Sequence, residues 1–268
     1  MKNTRKTKNA LITGSSKGIG REFAKILAKK QYNLVLVDKD WENCSTLKGD
    51  LESEYGITVM TFVEDLSMAE TPLKIYSVLM SKRIEIDVLI NNAGIGIFGK
   101  FSDTDWHHEE NILKVNIMAL TYFTKLFMKG MIARKKGKIL NVASIGAFQA
   151  VPLQSVYAAS KAYVLSFTEA IARELKETGV TVTALCPGPT DTGFHILARG
   201  DDKKAFKRKK MPTAREVAIH GYNAMMRGEH VSIHGFINTL MINVSRIIPR
   251  KILAKLAHKK MRVHLEDI

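Results

Sequence analysis

The stretch "NALITGSSKGIGREFAKILAKK", Asn9 to Lys30, decides how the rest of the chain is read. A short aliphatic run, "NALIT", suits a strand, and "GREFAKILAKK" is an amphipathic segment suited to a helix. Between them "TGSSKGIG", Thr13 to Gly20, carries glycines at Gly14, Gly18 and Gly20. Glycines so placed permit a tight turn, close approach of backbone to a pyrophosphate, and close packing of helix on strand, while the helix start offers N–H donors. Gly14, Ser16, Lys17, Gly18, Ile19 and Gly20 are therefore candidate phosphate contacts. The spacing is GxxxGxG and not GxGxxG, and a bare strand-to-helix turn competes with this reading.

Outward from that loop the same alternation repeats. "YNLVLVD" is followed by a polar helix, "ITVMTFVED", "IDVLINNAG", a long helix from about Asp105 to Gly130, "GKILNVAS", a helix holding Tyr157, "GVTVTALCPG" and "EHVSIHG". Strand-like runs separated by helices predict an α/β fold, a Rossmann-like doubly wound parallel sheet of about seven strands with helices on both faces. At 268 residues a single main domain over 1–235 is expected. Residues 236–268 form a C-terminal basic amphipathic helical extension packed on or beside it.

Hydrophobic residues make up 46% and charged residues 25%, which excludes the disordered class. The two cysteines, Cys44 and Cys186, have neither disulfide-framework nor zinc spacing, and a reducing cytoplasm fits. The apolar run Ala10 to Ile12 is too short for a signal, and no stretch approaches the roughly 20 apolar residues of a membrane span. A formal charge of +15 points to an anionic ligand, partner or surface. No reading helix or RNA-binding motif accompanies that charge, so nucleic acid is not expected. "WHHEE", Trp106 to Glu110, has metal-ligand residue types, but adjacent histidines diverge on a helix, and no metal is expected.

Asp38 closes the second strand, where an acid faces the adenosine ribose of a dinucleotide in this fold. A carboxylate there accepts from the ribose hydroxyls and repels a 2′-phosphate, which favours NAD(H) over NADP(H). Lys17 and Lys39 pull the other way, since both could attract that phosphate. In "YAASK" a phenol, Tyr157, and an ammonium, Lys161, stand four apart on one helix face, roughly 5–6 Å apart at Cβ. The lysine charge is then near enough to bias the phenol toward phenolate. Tyr163 is a rival phenol without a lysine at i+4.

The set Thr13-Gly14, Gly18-Ile19-Gly20, Asn91-Asn92-Ala93-Gly94, Asn116, Ser144, Tyr157, Lys161 and Pro187-Gly188 resembles the short-chain dehydrogenase/reductase family over about residues 8–235. That resemblance implies an NAD(P)-dependent oxidoreductase with Asn116, Ser144, Tyr157 and Lys161 as catalytic residues. Tyr157 is the general acid or base, its ordinary pKa of about 10 lowered by Lys161 and by the oxidised nicotinamide. Lys161 also bonds the nicotinamide ribose, Ser144 holds the substrate oxygen, and Asn116 orders a water linking Lys161 to solvent. Asp65 and Leu66 flank the adenine, Asn92, Ala93 and Gly94 line the adenosine and ribose side, and Pro187, Gly188, Thr190 and Thr192 receive the carboxamide. The helices at 105–130 and 156–178 carry the subunit contact of a homodimer or homotetramer.

By the same resemblance the substrate pocket is built from "IGAFQAVP", "GIGIFGKF" and the 191–212 loop. Ile97, Phe98, Phe148 and Phe194 point to an apolar cavity and a lipid-like, steroid-like or other hydrophobic ketone or secondary alcohol. A catalytically silent dinucleotide-binding regulatory protein is the competing function, and the intact catalytic set opposes it. In the tail, Phe236, Ile237, Leu240, Met241, Val244, Ile247 and Ile248 recur near helical spacing among many cations, with Pro249 as a break. Such a segment either covers the substrate entrance or a neighbouring subunit, or lies on an anionic membrane with the basic 203–210 run beside it.

Overall fold

A computed structural model describes residues 8–194, 211–245 and 247–262. The glycine loop joins strand β1 (Lys8–Thr13) to helix α1 (Gly18–Lys29), as its sequence requires. Then follow β2 (Tyr32–Asp38), α2 (Trp41–Tyr55), β3 (Val59–Val63), α3 (Thr71–Ser81) and β4 (Val88–Asn91). The second half contains α4 (Trp106–Leu113), α5 (Leu120–Ala133), β5 (Gly137–Val142), α6 (Ser155–Glu174), β6 (Val180–Cys186), α7 (Ala214–Arg227) and β7 (Val231–Ile233). Two helices close the described chain, α8 (Phe236–Ser245) and α9 (Arg250–Arg262).

The seven strands lie parallel in the order β3-β2-β1-β4-β5-β6-β7. Because successive strand residues face opposite sides, β1 feeds two cores. Ala10 and Ile12 pack toward α1, α2 and α7 with Phe23, Leu47 and Val217, while Leu11 packs toward α3, α5 and α6 with Ile75, Phe123 and Ile171. Near-continuous apolar strands are what a sheet covered on both faces demands. The strand order reverses between β1 and β4, and a crevice opens there at the carboxyl ends of the strands.

A buried polar ladder fixes the helices beside that crevice. The Asn91 Nδ2 donates to Thr124 Oγ1 at 3.0 Å and to Asn141 Oδ1 at 2.9 Å, and Asn141 Nδ2 donates to Thr168 Oγ1 at 2.9 Å. All four side chains are buried, so each bond is made where an unpaired amide is costly. The ladder ties β4 and β5 to α5 and α6.

The structure alters one expectation. The single long helix expected from about Asp105 to Gly130 is two α-helices joined by a π segment, Lys114–Ala119. The wider turn carries Asn116, whose side chain is committed to the neighbouring loop and not to the helix surface. The tail divides around Pro249 as expected, since proline cannot continue a helix with its missing N–H.

Candidate active site

One cavity of about 1070 Å³ runs over the carboxyl ends of the strands from the glycine loop to the tail helices. Gly14 and Gly18 have φ of +62° and +53°, a region that side-chain-bearing residues rarely enter. A Cβ on Gly14 would come within 2.8 Å of Ala93 Cα, and one on Gly18 within 3.0 Å of Thr192 Cβ. Gly14, Ser16, Lys17, Gly18 and Ile19 border the cavity. Gly20 instead faces the Gly14 carbonyl oxygen, against which a Cβ would overlap, so its place is in the packing of α1 on β1 and not in the lining. Lys17, the N-cap of α1, makes no side-chain cap hydrogen bond, and the first-turn N–H groups keep their capacity for an anion.

The loops after β1 and β4 are spliced together. Thr13 Oγ1 accepts from the N–H groups of Asn92 and Ala93, both at 3.1 Å, while Asn92 Nδ2 donates to the carbonyls of Thr13 and Gly14 at 3.0 and 2.8 Å. Asn92, Ala93, Gly94, Asp65 and Leu66 all border the cavity, as do Pro187, Gly188, Thr190 and Thr192. Asp65 Oδ1 accepts from Ser67 N–H at 2.8 Å, and that backbone bond lowers its carboxyl below the ordinary range.

At the end of β2, Asp38 Oδ2 accepts from Ser16 N–H at 3.0 Å and Oδ1 from Asp40 N–H at 3.2 Å. Its carboxylate is thereby held at the cavity wall. Lys17 Nζ lies 2.7 Å from Asp40 Oδ2. The Lys17 hydrogen bond and two bonds from Asn43 hold Asp40 down to about 2, and the same pair raises Lys17. Asp40 was not singled out in the sequence; only folding shows that the loop ammonium has a carboxylate partner.

Ser144, Tyr157 and Lys161 meet at the centre of the cavity. Ser144 caps a short 3-10 turn, Ile145–Phe148, with its Oγ accepting from Gly146 N–H at 3.1 Å. Tyr157 keeps part of its surface open to the cavity and tilts against Phe194, ring centroids 5.5 Å apart. Lys161 is 3% exposed, and its Nζ donates to the Val142 carbonyl at 2.8 Å and stands 5.8 Å from the Tyr157 ring centroid. Burial pushes the Tyr157 phenol up to about 12 against a hydrogen bond with Ser144, and burial drives Lys161 down to about 8. The expectation that Lys161 draws the phenol down is thus not met by these residues alone: desolvation outweighs a charge whose nearest partner is a strand carbonyl.

Asn116 differs from expectation in what its side chain does. Its Oδ1 accepts from Ile95 N–H at 2.9 Å, and its Nδ2 donates to Ile95 carbonyl and Ser160 Oγ, both at 3.0 Å. The amide therefore clamps the loop after β4 onto α6. A Cβ on Gly94 would come 3.2 Å from Lys161 Nζ and 3.4 Å from Asn116 Oδ1, so the two polar groups border one small space.

Of the four residues expected to wall the substrate side, Phe148 and Phe194 border the cavity, whereas Ile97 and Phe98 do not. The loop passes Gly96 beside Tyr157 and then turns off, with Gly99 N–H donating to Leu153 carbonyl at 2.9 Å. The missing apolar wall comes from the tail: Leu240, Met241, Val244, Ile248, Leu253 and Leu256. Asn238 Nδ2 donates to His234 carbonyl at 2.7 Å and packs against Gly188, seating α8 on the turn after β6. The 203–210 run lies outside the described residues. Cys186 is buried with its thiol pushed up to about 12 by burial, which makes it packing and not a nucleophile.

The glycine cradle, the uncapped start of α1, the Asp38 carboxylate and the closely approached Gly94 fit a nicotinamide dinucleotide laid along the crevice. A family model described as short chain dehydrogenase matches residues 8–202. A very-long-chain 3-oxoacyl-CoA reductase of Phaeosphaeria nodorum is 38% identical over 177 residues, 65% of this chain and 52% of that protein. The chain thus spans about half the length of that curated relative. Among solved structures, the bulky-bulky ketone specific alcohol dehydrogenase from Comamonas testosteroni is 25% identical with a TM-score of 0.77, covering 90% of this chain and 93% of the other. A short-chain dehydrogenase from Sphingobium yanoikuyae in complex with NADPH is 25% identical with a TM-score of 0.78, covering 91% and 97%.

Proposed function

The chain belongs to the short-chain dehydrogenase/reductase family, and from that premise we propose that it is an NAD(P)-dependent oxidoreductase that interconverts a long hydrophobic ketone and the corresponding secondary alcohol with NAD(H). The observation that carries this reading is the junction of Ser144, Tyr157 and Lys161 with an apolar cavity continued by α8 and α9. We take 1–235 as the catalytic domain and 236–268 as its extension. A long 3-oxoacyl thioester is one substrate of the right shape, and the name of the Phaeosphaeria relative supports it.

In the reductive direction the Tyr157 hydroxyl donates its proton to the carbonyl oxygen, and Ser144 holds that oxygen by a hydrogen bond that strengthens as charge develops. A bound nicotinamide supplies the hydride received at the carbonyl carbon. A phenol pushed up to about 12 keeps its proton throughout the neutral range, which suits it as the acid. The Lys161 ammonium stabilises the phenolate left behind, and the space it shares with Asn116 Oδ1 beside Gly94 is the place for a water that returns the proton. The loop residues Gly14 to Ile19 would hold the pyrophosphate, Asp38 the adenosine ribose, and the turn from Pro187 to Thr192 the carboxamide. NAD(H) preference rests on the Asp38 carboxylate and on the engagement of Lys17 by Asp40, which leaves less free positive charge for a 2′-phosphate. We extend the reading to a cytoplasmic homodimer or homotetramer, for which the two buried free cysteines and the exposed Met118 of the π segment and Tyr163 of α6 speak.

The test follows cofactor absorbance with NADH and NADPH across 3-oxoacyl thioesters and ketones of increasing chain length, with short soluble ketones as reference. kcat/KM is expected to rise with chain length and to be larger with NADH. A flat chain-length profile refutes the substrate class, and a preference for NADPH refutes the cofactor assignment.

A further inference from the structure

Helix α8, "FINTLMINVS", contains no charged residue, yet most of one side of it is open to solvent. Phe236, Ile237 and Ile247 are 81, 71 and 84% exposed. Leu240, Met241, Val244 and Leu256 are each about half exposed and also border the cavity. The apolar surface is thus continuous with the substrate cavity. On α9, Leu253 and Ala257 turn inward while Lys251, Lys255 and Lys259 form an exposed row beside the exposed Ile252 and Leu256. Lysines next to an apolar row can bury their stems and keep the ammonium at a polar boundary.

We propose that α8 and α9 dock the enzyme on an anionic lipid bilayer, with the mouth of the cavity facing the lipid so that a membrane-dissolved substrate enters without crossing water. Charge decides between occupants. From His230 to Leu265 the chain carries seven Lys or Arg and no Asp or Glu. A second copy would set like charge against like, whereas an anionic leaflet attracts each cation and accepts the uncharged face of α8 between headgroups. An acidic protein would answer the lysines but would also cover the cavity mouth. No helix among the described residues is long and apolar enough to cross a membrane, and the contact is interfacial. This inference rests on the proposed hydrophobic substrate only for what passes through the mouth; the docking surface stands on exposure and charge.

The experiment is flotation of the full chain with vesicles of phosphatidylcholine alone and of phosphatidylcholine mixed with phosphatidylglycerol, at low and high salt and without substrate. Binding is expected to the anionic vesicles at low salt, to fall with salt, and to drop on the order of a hundredfold when Lys251, Lys255 and Lys259 are changed to Gln. The variant F236S/I237S/I247S, none of whose sites borders the cavity, is expected to lose flotation while reducing a short soluble ketone as wild type does. That second readout shows the variant folded and keeps vesicle binding separate from turnover. Absence of flotation with anionic vesicles at low salt overturns the proposal. So does undiminished flotation of either variant, or a self-association or acidic-protein complex through Phe236, Ile237 and Ile247 that forms without any lipid binding.

Discussion

Replacing Lys161 with Met leaves a side chain of similar length in a site that is expensive for charge. Burial moves the Lys161 amine from 10.5 to about 8. The folded pKa lies below the unfolded one, so below pH 8 both states hold the proton, and keeping it costs the folded state roughly 3 kcal/mol at about 1.4 kcal/mol per pH unit. Between about pH 8 and 10.5 the unfolded chain still binds the proton while the folded chain has released it, and stability rises with pH. Integrated over the two titrations, wild type gains on the order of 2–3 kcal/mol from this group between pH 7 and pH 10; the variant gains none of it. At neutral pH, Lys161→Met is therefore expected to be as stable as wild type or more so, less whatever the lost hydrogen bond to the Val142 carbonyl contributes, about 1.5–3 kcal/mol for a charged donor. Urea unfolding of both proteins at pH 7, 8, 9 and 10 and constant ionic strength measures the gap, in which every other titrating group cancels. A shrinkage of the variant's advantage by roughly 2–3 kcal/mol over that range is the expected result. A gap constant with pH would show that Lys161 is not held desolvated and would remove the physical basis given for its role. Activity should be lost in the variant at every pH.

Tyr157→Phe keeps the ring contact with Phe194 and removes the proton donor; kcat is expected to fall by about 10²–10⁴ with cofactor affinity, followed by fluorescence titration, nearly unchanged. Asp38→Ala should move the NADH-to-NADPH ratio of kcat/KM toward NADPH by roughly tenfold or more, since about 1–3 kcal/mol of repulsion is relieved in a partly shielded site. Asp40→Asn, which releases Lys17, should shift the same ratio in the same direction, and no shift in either variant would refute the assignment. Gly20→Ala puts a methyl group against the Gly14 carbonyl and should cost about 1–3 kcal/mol of stability in urea unfolding together with cofactor binding, because α1 must move off β1. In the oxidative direction, a phenol pushed up to about 12 must first ionise, so the rate should climb with pH up to about tenfold per pH unit through the neutral range while the reductive rate stays flat until Lys161 begins to lose its proton near pH 8, as read from initial rates in both directions.

Much of this molecule was legible because its signals are local. The alternation of aliphatic runs with amphipathic segments marks strand and helix by their periods of 2 and 3.6, and it delivered the seven strands with bounds within three residues of where they lie. The glycine loop and the four-residue step from Tyr157 to Lys161 are read from backbone sterics and helix geometry, which depend on neighbours in the chain. Asn92 and Ser144 stood at strand ends, where the doubly wound fold puts its ligand-facing groups.

What the sequence by itself determined is the fold, the crevice and most of the cofactor-side and catalytic side chains that face it. Tertiary structure alone decided what those side chains do to one another. That Asp40 takes the Lys17 ammonium, that Asn116 clamps Ile95 from a π turn, that Val142 receives the Lys161 proton donor and that α8 supplies the cavity wall in place of Ile97 and Phe98 are all contacts across packed elements. Such pairings carry no spacing rule, because they depend on where close packing brings distant segments. The pKa reversal at Tyr157 has the same origin: proximity in sequence predicts a charge beside the phenol, but only the packed site sets how much water is removed from both.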